Sequence, residues 1–190
     1  CFLKVMGSND FGDWRRNLIL DDDPVVSFHD SRRVHGQGMS GFVQVYANTR
    51  HIALDQLRSK CDLASDHVVV AGHSRGGAIA QVFASALYLD AVVPPERLHL
   101  VTLGSPRVLA SKLSDKVHGK FNQVRLINAK DPVPSLPFRA FGFKHIGTMF
   151  CFECGYASAR DAPRLVAFMR ATDHYLDRYA AWLRRAVGNE

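Results

Sequence analysis

The 190-residue sequence predicts an α/β domain with a mainly parallel sheet covered by helices on both faces. Two observations lead to this fold class. Short apolar runs rich in β-branched residues alternate with segments of helical apolar spacing, an order typical of parallel sheets. Turn residues close these runs, as at Gly72, Gly104 and Asp131, and parallel sheets collect their functional side chains at such strand ends. The length suits one domain over residues 1–190.

Each element follows from a local pattern. Strands are predicted over residues 1–6, 67–71, 98–106 and 123–134, the last stopped by Pro132. Residues 21–41 hold Pro24 and three glycines, which predicts irregular chain around a short strand. Helices are predicted from residue 42, over 78–89, after Asp161 with Pro163 in the first turn, and over 175–187. The first helix is predicted to bury Phe42, Tyr46, Thr49, Ala53 and Leu57. The last is predicted to bury Leu176, Tyr179, Leu183 and Val187.

Composition and charge exclude some functions. The formal charge is +6 and the isoelectric point about 9.4, which favours an anionic surface. The basic residues are scattered without interleaved aromatics, so no nucleic-acid partner is expected. No apolar run reaches the roughly 18 to 20 residues that cross a bilayer, so we expect a protein that is soluble or peripheral to a membrane. The chain begins at Cys1 rather than Met, which indicates a piece of a longer precursor; its localisation is left open.

One cysteine pair resembles a metal-binding motif. Cys151 and Cys154 have the Cys-x-x-Cys spacing, but no second ligand pair accompanies them in the sequence. Inert or bridged thiols are therefore favoured over a zinc site.

Ser74 lies on a tight turn between a predicted strand and a predicted helix. Glycines flank it in Gly72-His73-Ser74-Arg75-Gly76, the Gly-x-Ser-x-Gly pattern of the α/β-hydrolase nucleophile elbow. Side chains at 72 and 76 are expected to collide with neighbouring backbone, and Gly77 lets the helix pack closely. The helix N-terminus stabilises an anion beside the hydroxyl. We therefore interpret Ser74 as a nucleophile; a purely structural glycine turn is the alternative.

A serine nucleophile needs an acid that orients its base, and the elbow's chain order is serine, acid, histidine. Asp131 ends a predicted strand at the edge where Ser74 lies, because Pro132 stops that strand. Asp115 and Asp161 have the pattern of turn or helix-start residues. Asp131 is the predicted acid, with a turn-forming Asp-Pro as the alternative.

Two histidines follow Asp131. His174 directly precedes the last helix, in a segment that reaches across the sheet edge, whereas His145 stands among strand-like residues. His174 is the predicted base, and His145 is the alternative. His73, adjacent to the serine, is predicted to pack beside the site or to support it.

The ordered motifs resemble the class 3 lipase family, the fungal triacylglycerol lipase type of α/β-hydrolase. Nearly end to end, the chain contains KVMGSNDFGDWRRNL, GFVQVY, VVVAGHSRGGAIA, LGSPRV, INAKDPVPSLP, FGFKHIG and DHYLDRY in the family's order. The resemblance implies a triad of Ser74, Asp131 and His174, as the residues alone also indicate. It further implies an oxyanion hole from Ser8 and the amide of Arg75, with Asn17 supporting the Ser8 hydroxyl.

The resemblance also implies a lid over residues 9–20. Its apolar, substrate-facing side chains are Phe11, Trp14, Leu18 and Leu20. Such an amphipathic segment binds interfaces through its apolar area, and Arg15 and Arg16 suit anionic headgroups. A fixed surface helix is the alternative.

The expected function is that of a serine carboxylic ester hydrolase, a lipase that cleaves tri-, di- or monoacylglycerol through an acyl-enzyme. Its expected partners are a lipid ester and a lipid–water interface or membrane surface, and the chemistry needs no metal or organic cofactor. The alternatives are a feruloyl-type esterase on soluble esters, a phospholipase A1, and a catalytically silent lipase-like binding module.

Some positions depart from the family pattern. Val5-Met6-Gly7 stands where Phe-Arg-Gly is usual, and Arg75 replaces the common leucine after the nucleophile. The family's Val-His-x-Gly-Phe pattern is also changed. Met39-Ser40-Gly41-Phe42 stands in its place, and a Val-His pair occurs upstream at Val34-His35. The chain also begins after the family's first elements, so we expect it to lack amino-terminal structure.

Overall fold

The central sheet is parallel, as predicted. A computed structural model describes residues 1–6, 21–152 and 174–188. Five strands form this sheet, in the following spatial order. They are β1 (Phe2–Val5), β4 (Val68–His73), β5 (Leu98–Leu103), β7 (Asn122–Asn128) and β9 (Thr148–Phe152). Every neighbouring pair runs parallel, so the carboxyl ends of all five lie at one edge.

A second sheet of four strands is antiparallel and was not expected. It consists of β2 (Asp22–Val26), β3 (Val34–Met39), β6 (Leu109–Ala110) and β8 (Phe143–Lys144), in that order. The prediction of irregular chain around one short strand over residues 21–41 is therefore wrong, because two paired strands occupy most of this range. A Cβ on Gly36 would lie 2.8 Å from Leu113 Cβ, and one on Gly38 would lie 3.0 Å from Val43 Cγ2. These glycines allow close packing on a strand rather than ending it.

Helices cover both faces of the central sheet. They are α1 (Ser40–Lys60), α2 (Arg75–Leu89), α3 (Ser111–Val117) and α4 (Leu176–Ala186). The larger core contains Leu98 and Leu100 of β5 with residues of α1, α2 and α3. Leu103 points to the opposite face, because strand side chains alternate, and there it packs with Tyr179 of α4. Helix α2 is buried almost all round, which explains its continuous apolar sequence.

Two predicted helix faces need correction. Thr49 is exposed, with its hydroxyl donating to the Val45 carbonyl, and Arg50 is buried in its place at 8% exposure. The aliphatic stem of an arginine packs like an apolar side chain, so a polar residue occupies the buried face. Phe42, Tyr46 and Leu57 are buried as predicted, and Ala53 is partly buried.

In α4, Tyr179 is buried and Leu183 is partly buried, but Leu176 and Val187 are 48% and 67% exposed. They occupy the two ends of the helix, where the described part of the chain leaves them uncovered. The helix predicted after Asp161 lies outside the described residues.

A disulfide joins Cys1, before β1, to Cys61, directly after α1. Sixty residues separate them, and the sequence analysis did not predict the pairing. Cys151 of β9 is also disulfide-bonded, in agreement with the expectation of bridged thiols. Among the described residues, no helix is both long and apolar enough to span a membrane.

Candidate active site

Ser74 forms a strained elbow where β4 ends and α2 begins. Its φ of 57° and ψ of −126° are unusual for a residue with a side chain, a conformation that costs about 1–3 kcal/mol. A Cβ on Gly72 would lie 2.3 Å from the Gly76 carbonyl oxygen, and one on Gly77 would lie 2.8 Å from Ser105 Cβ. Backbone thus approaches the turn so closely that glycine is required at position 72.

The structure brings the three predicted triad residues together. The Ser74 hydroxyl donates to Nε2 of His174 at 2.6 Å, and Nδ1 of His174 donates to Oδ2 of Asp131 at 2.8 Å. All three side chains are buried: Ser74 is 6% exposed, His174 5% and Asp131 1%. Burial keeps water from competing for these hydrogen bonds, and a chain of this kind is able to pass a proton from a hydroxyl to an imidazole.

The Asp131 carboxylate is fixed by more than its histidine. The Val133 amide donates to Oδ1 at 2.8 Å, and the Tyr179 hydroxyl donates to Oδ2 at 2.5 Å. Gly104, with φ +55°, lies against the same oxygen, since a Cβ there would be 2.8 Å from Oδ2. With His174, three donors replace the hydration that the buried carboxylate has lost.

Tyr179 is the supporting residue that sequence reasoning missed, because only its burial was predicted. Its hydroxyl accepts from the Asn128 amide at 3.2 Å and donates to Asp131. Burial, and then the Asp131 carboxylate, raise its pKa, so the phenol keeps its proton. Its only sequence signal is its place five residues after His174, in the first turns of α4.

His73 supports the imidazole of His174 from one face. Its Nε2–H donates to the His174 carbonyl at 2.7 Å, and the two rings stack with centroids 4.8 Å apart. Burial, and then the neighbouring His174, lower the pKa of His73. A neutral His73 would place no second positive charge beside an imidazolium at His174.

The alternative residues are occupied elsewhere. His145 donates to the Pro134 carbonyl at 2.7 Å, and Asp115 pairs with Lys144 at 2.7 Å on the surface. Asp161 lies outside the described residues. So do the predicted oxyanion residue Ser8, its support Asn17, and the predicted lid residues Phe11, Trp14, Leu18 and Leu20.

Arg75 is the first residue of α2, directly after Ser74. No carbonyl within a helix accepts the backbone N–H of its first residue. That amide therefore lies next to Ser74 at the positive end of a buried helix, a suitable position for holding a negative oxygen.

A mainly parallel sheet with a serine elbow and a Ser-His-Asp hydrogen-bond chain at its carboxyl edge defines a protein of the α/β-hydrolase class. Within that class, the model of the family described as "Lipase (class 3)" matches residues 2–141, and the chain belongs to this family.

Individual relatives agree. The chain is 28% identical over 166 residues to a lipase of Rhizopus niveus, covering 84% of this chain and 40% of the relative. It is 34% identical over 123 residues to secreted mono- and diacylglycerol lipase 2 of Gibberella zeae, covering 58% and 30%. The Rhizomucor miehei triacylglyceride lipase structure superposes with a TM-score of 0.67 at 26% identity, covering 90% of this chain and 69% of that one. The chain thus spans about two fifths or less of these curated relatives.

Proposed function

We propose that the protein is a serine carboxylic ester hydrolase that cleaves acylglycerols through an acyl-enzyme, with Ser74, His174 and Asp131 as its catalytic triad. The observation that carries this proposal is the continuous hydrogen-bond chain from the Ser74 hydroxyl through His174 to a buried, three-fold hydrogen-bonded Asp131. A serine held on a strained turn and bonded to a histidine is the arrangement that acyl transfer requires.

In the proposed reaction, Nε2 of His174 takes the proton of Ser74 while Oγ attacks the ester carbonyl carbon. The tetrahedral intermediate collapses, and the imidazolium returns the proton to the departing alcohol. Water, deprotonated by the same histidine, then releases the fatty acid and restores the serine. Asp131 holds the ring with Nδ1 protonated, so that Nε2 faces the hydroxyl as an acceptor, and it stabilises the imidazolium.

The backbone amide of Arg75 supports an oxyanion hole beside Ser74, because it opens α2. We assign the second donor to Ser8, through its amide and hydroxyl, with Asn17 supporting that hydroxyl. The lid assignment of residues 9–20, with Phe11, Trp14, Leu18 and Leu20 toward the acyl chain, completes the proposal.

Acylglycerols are the favoured substrates because the similar proteins are named for them. One relative is a mono- and diacylglycerol lipase, and one similar structure is that of a triacylglyceride lipase. A soluble-ester esterase and a phospholipase A1 share the same chemistry and differ only in the substrate that they hold.

The test is a hydrolysis panel of emulsified tri-, di- and monoacylglycerols, phosphatidylcholine, and a short ester below and above its solubility limit. We expect higher rates on the emulsified acylglycerols. Ser74→Ala should lower turnover by several orders of magnitude, whereas Ser59→Ala, an exposed serine on α1, should not. Near-wild-type activity in Ser74→Ala would refute the triad, and a preference for the dissolved ester would replace the lipase with an esterase.

Labelling with a fluorophosphonate separates an enzyme from a silent binding module. The probe should modify Ser74 in the folded protein. A folded protein that hydrolyses nothing in the panel and resists the probe would be a binding module.

We also infer an oxidising, extracellular-type compartment. The Cys1–Cys61 disulfide supports it, since such bridges persist where glutathione does not reduce them. Intact-mass measurement after alkylation of protein from its native source should find this pair protected. Free thiols at these positions would contradict the inference.

A further inference from the structure

A loop that plays no part in the triad exposes two aromatic rings. We call residues 136–142 the aromatic loop. Phe138 and Phe141 are each 53% exposed, and their rings lie roughly parallel with centroids 6.5 Å apart. Between them, Arg139 is also exposed at the start of the short 3₁₀ turn Arg139–Phe141. Paired apolar rings on a surface mark an interaction site more often than a single exposed residue does.

The loop is held in place from both ends. At its start, the Arg107 amide donates to the Leu136 carbonyl at 2.8 Å, and Arg107 Nη1 donates to the Pro137 carbonyl at 2.9 Å. At its end, the amide and the hydroxyl of Ser111 both donate to the Gly142 carbonyl at 2.8 Å. The exposed rings therefore belong to a fixed loop, and binding through them costs little ordering entropy.

The loop lies beside a group of positive charges. We call Arg107, Arg125 and Arg139 the cationic cluster. His145, whose pKa is lowered by burial and then by the charges of Arg125 and Arg107, lies beside them. Arg107 Nη1 donates to the carbonyls of Ser135 and Pro137, directly before the loop residues that include Arg139, and burial, then the charge of Arg139, lower the pKa of Arg107. The neighbouring Lys144 is paired with Asp115. Within the described part of the chain, no carboxylate pairs with Arg107 or Arg139.

The aromatic loop is close in sequence to the sheet edge at which the triad lies. Its first residue, Leu136, follows Asp131 by five positions, and its anchor Arg107 follows the carboxyl end of β5 by four. A surface that binds this loop is therefore connected to the strand ends next to Ser74 by short, hydrogen-bonded segments.

We propose that the aromatic loop is a docking surface for an anionic lipid interface. Phe138 and Phe141 enter the boundary between headgroups and acyl chains, and Arg139 binds the anionic headgroups. The inference rests on the proposed function, since a lipid ester hydrolase must reach substrate at an interface. Exposed apolar rings beside Arg139, an exposed cation that pairs with no carboxylate in the described part of the chain, suit such a surface. A second copy of this chain would bring two cationic clusters face to face, which like charges oppose.

Vesicle binding tests the proposal directly. Binding is measured by co-sedimentation in a Ser74→Ala background, so that the lipid is not consumed, on phosphatidylcholine vesicles with and without phosphatidylglycerol. Phe138→Ser with Phe141→Ser should weaken binding about tenfold or more. Arg139→Gln should weaken it about fivefold on the anionic vesicles only. The matched controls are Ile52→Ser, which removes a 66% exposed apolar side chain on α1, and the exposed Arg58→Gln.

A fluorescent probe locates the contact without removing it. Phe141→Trp should be quenched by brominated phosphatidylglycerol in vesicles, and Ile52→Trp should not, each measured as a difference from the parent protein. Binding that persists unchanged in the double serine variant, or a residue-141 tryptophan that stays unquenched on saturated vesicles, would overturn the proposal. A double variant that instead shifts the protein from dimer to monomer in size-exclusion chromatography would assign the loop to a second copy and overturn it as well.

The docking surface and the proposed function fail in different ways. In the Ser74-bearing protein, the double serine variant should keep wild-type kcat/KM on a dissolved short ester and lose activity on emulsified substrate. Wild-type protein that binds vesicles through the loop but hydrolyses no lipid ester would refute the proposed function and leave the docking surface in place.

Discussion

The triad and the cationic cluster stabilise their charged groups in opposite ways. At the triad, the Asp131 carboxylate receives three hydrogen bonds, and a neutral His73 stacks on the base. In the cationic cluster, burial and the neighbouring Arg107 lower the pKa of Arg125 to about 10, and no described residue forms a hydrogen bond with its buried Nε.

The difference shows which charged groups of this chain receive a matched set of hydrogen-bond partners. A group that must keep one position and one protonation state through a reaction needs a partner for each of its atoms. Arg107 and His145 instead bind backbone carbonyls of residues 134–137 and so hold a loop, a task that requires donors but no matched acid. The triad is thus specified atom by atom, whereas the cluster retains uncompensated charge.

Asp131→Asn removes the matched hydrogen bonding of the triad, and its effect on turnover is the largest that we expect. In either amide orientation, an N–H of the asparagine would face another donor, from Val133 on one side or from Tyr179 and His174 on the other. We expect turnover to fall about 10⁴-fold, because the imidazole then favours the wrong tautomer. Steady-state kinetics on a dissolved ester measure it. Asp115→Asn, at an exposed ion pair, should change the rate little, and a comparable loss there would count against the assignment.

Gly104→Ala tests how tightly the acid is enclosed. The new methyl would lie 2.8 Å from Asp131 Oδ2 and 2.9 Å from the Tyr179 hydroxyl, on a backbone with φ +55°. We expect a loss of about 3 kcal/mol in the free energy of unfolding, from the collision and the left-handed backbone together. Gly119→Ala is the matched control, since its φ is +70° and no atom of the described residues lies within 4 Å of the added atom. If urea denaturation gave the same loss in the free energy of unfolding for both variants, Asp131 and Tyr179 would move aside without cost, contrary to the prediction.

His145 makes the stability of the cationic cluster depend on pH. Burial, followed by the charges of Arg125 and Arg107, lowers the pKa of His145 well below its ordinary value. The folded protein therefore keeps it neutral, whereas the unfolded chain takes up a proton below about pH 6.5. The free energy of unfolding should not depend on the titration of this residue above that pH. It should fall as the pH drops below it, by up to about 1.4 kcal/mol per pH unit. His73 contributes in the same direction.

Urea midpoints between about pH 7.5 and 5.5 measure this slope. His145→Gln keeps a donor for the Pro134 carbonyl and should reduce it, whereas the exposed His51→Gln should not. An unreduced slope in His145→Gln would mean that His145 does not stay neutral in the folded protein.

Met149→Glu should give the cationic cluster a carboxylate that pairs with the Arg125 guanidinium. Met149 of β9 lies opposite Arg125 of β7 in register, so the two side chains share a face of the sheet. Because Arg125 is desolvated and pairs with no carboxylate among the described residues, a carboxylate there should raise the free energy of unfolding by about 1 kcal/mol at neutral pH. Phe150→Glu points to the other face and should give no gain. A Met149→Glu variant no more stable than Phe150→Glu would contradict the expected pairing.

The sequence was informative where function depends on strand ends and failed where it depends on packing. Gly72, Ser74 and Asp131 follow apolar runs directly, so a parallel sheet brings them to one edge by topology alone. The glycines of β3 were interpreted as breaks in the chain, because no local pattern shows that Leu113 and Val43 pack against them. Leu176 and Val187 have the right spacing for a buried face, yet the helix ends are exposed.

The central strands β1, β4, β5 and β7 and the strained serine turn were predicted from the sequence, because each depends on contiguous residues. Ser74, Asp131 and His174 were predicted from the order of their short motifs along the chain. Only the tertiary structure decided that Tyr179 bonds to Asp131, that His73 stacks on His174, that Cys1 joins Cys61, and that Phe138 and Phe141 remain outside. These contacts join residues far apart in the chain or depend on which surfaces stay uncovered. Their geometry is set by how whole elements pack, and no local pattern carries that information.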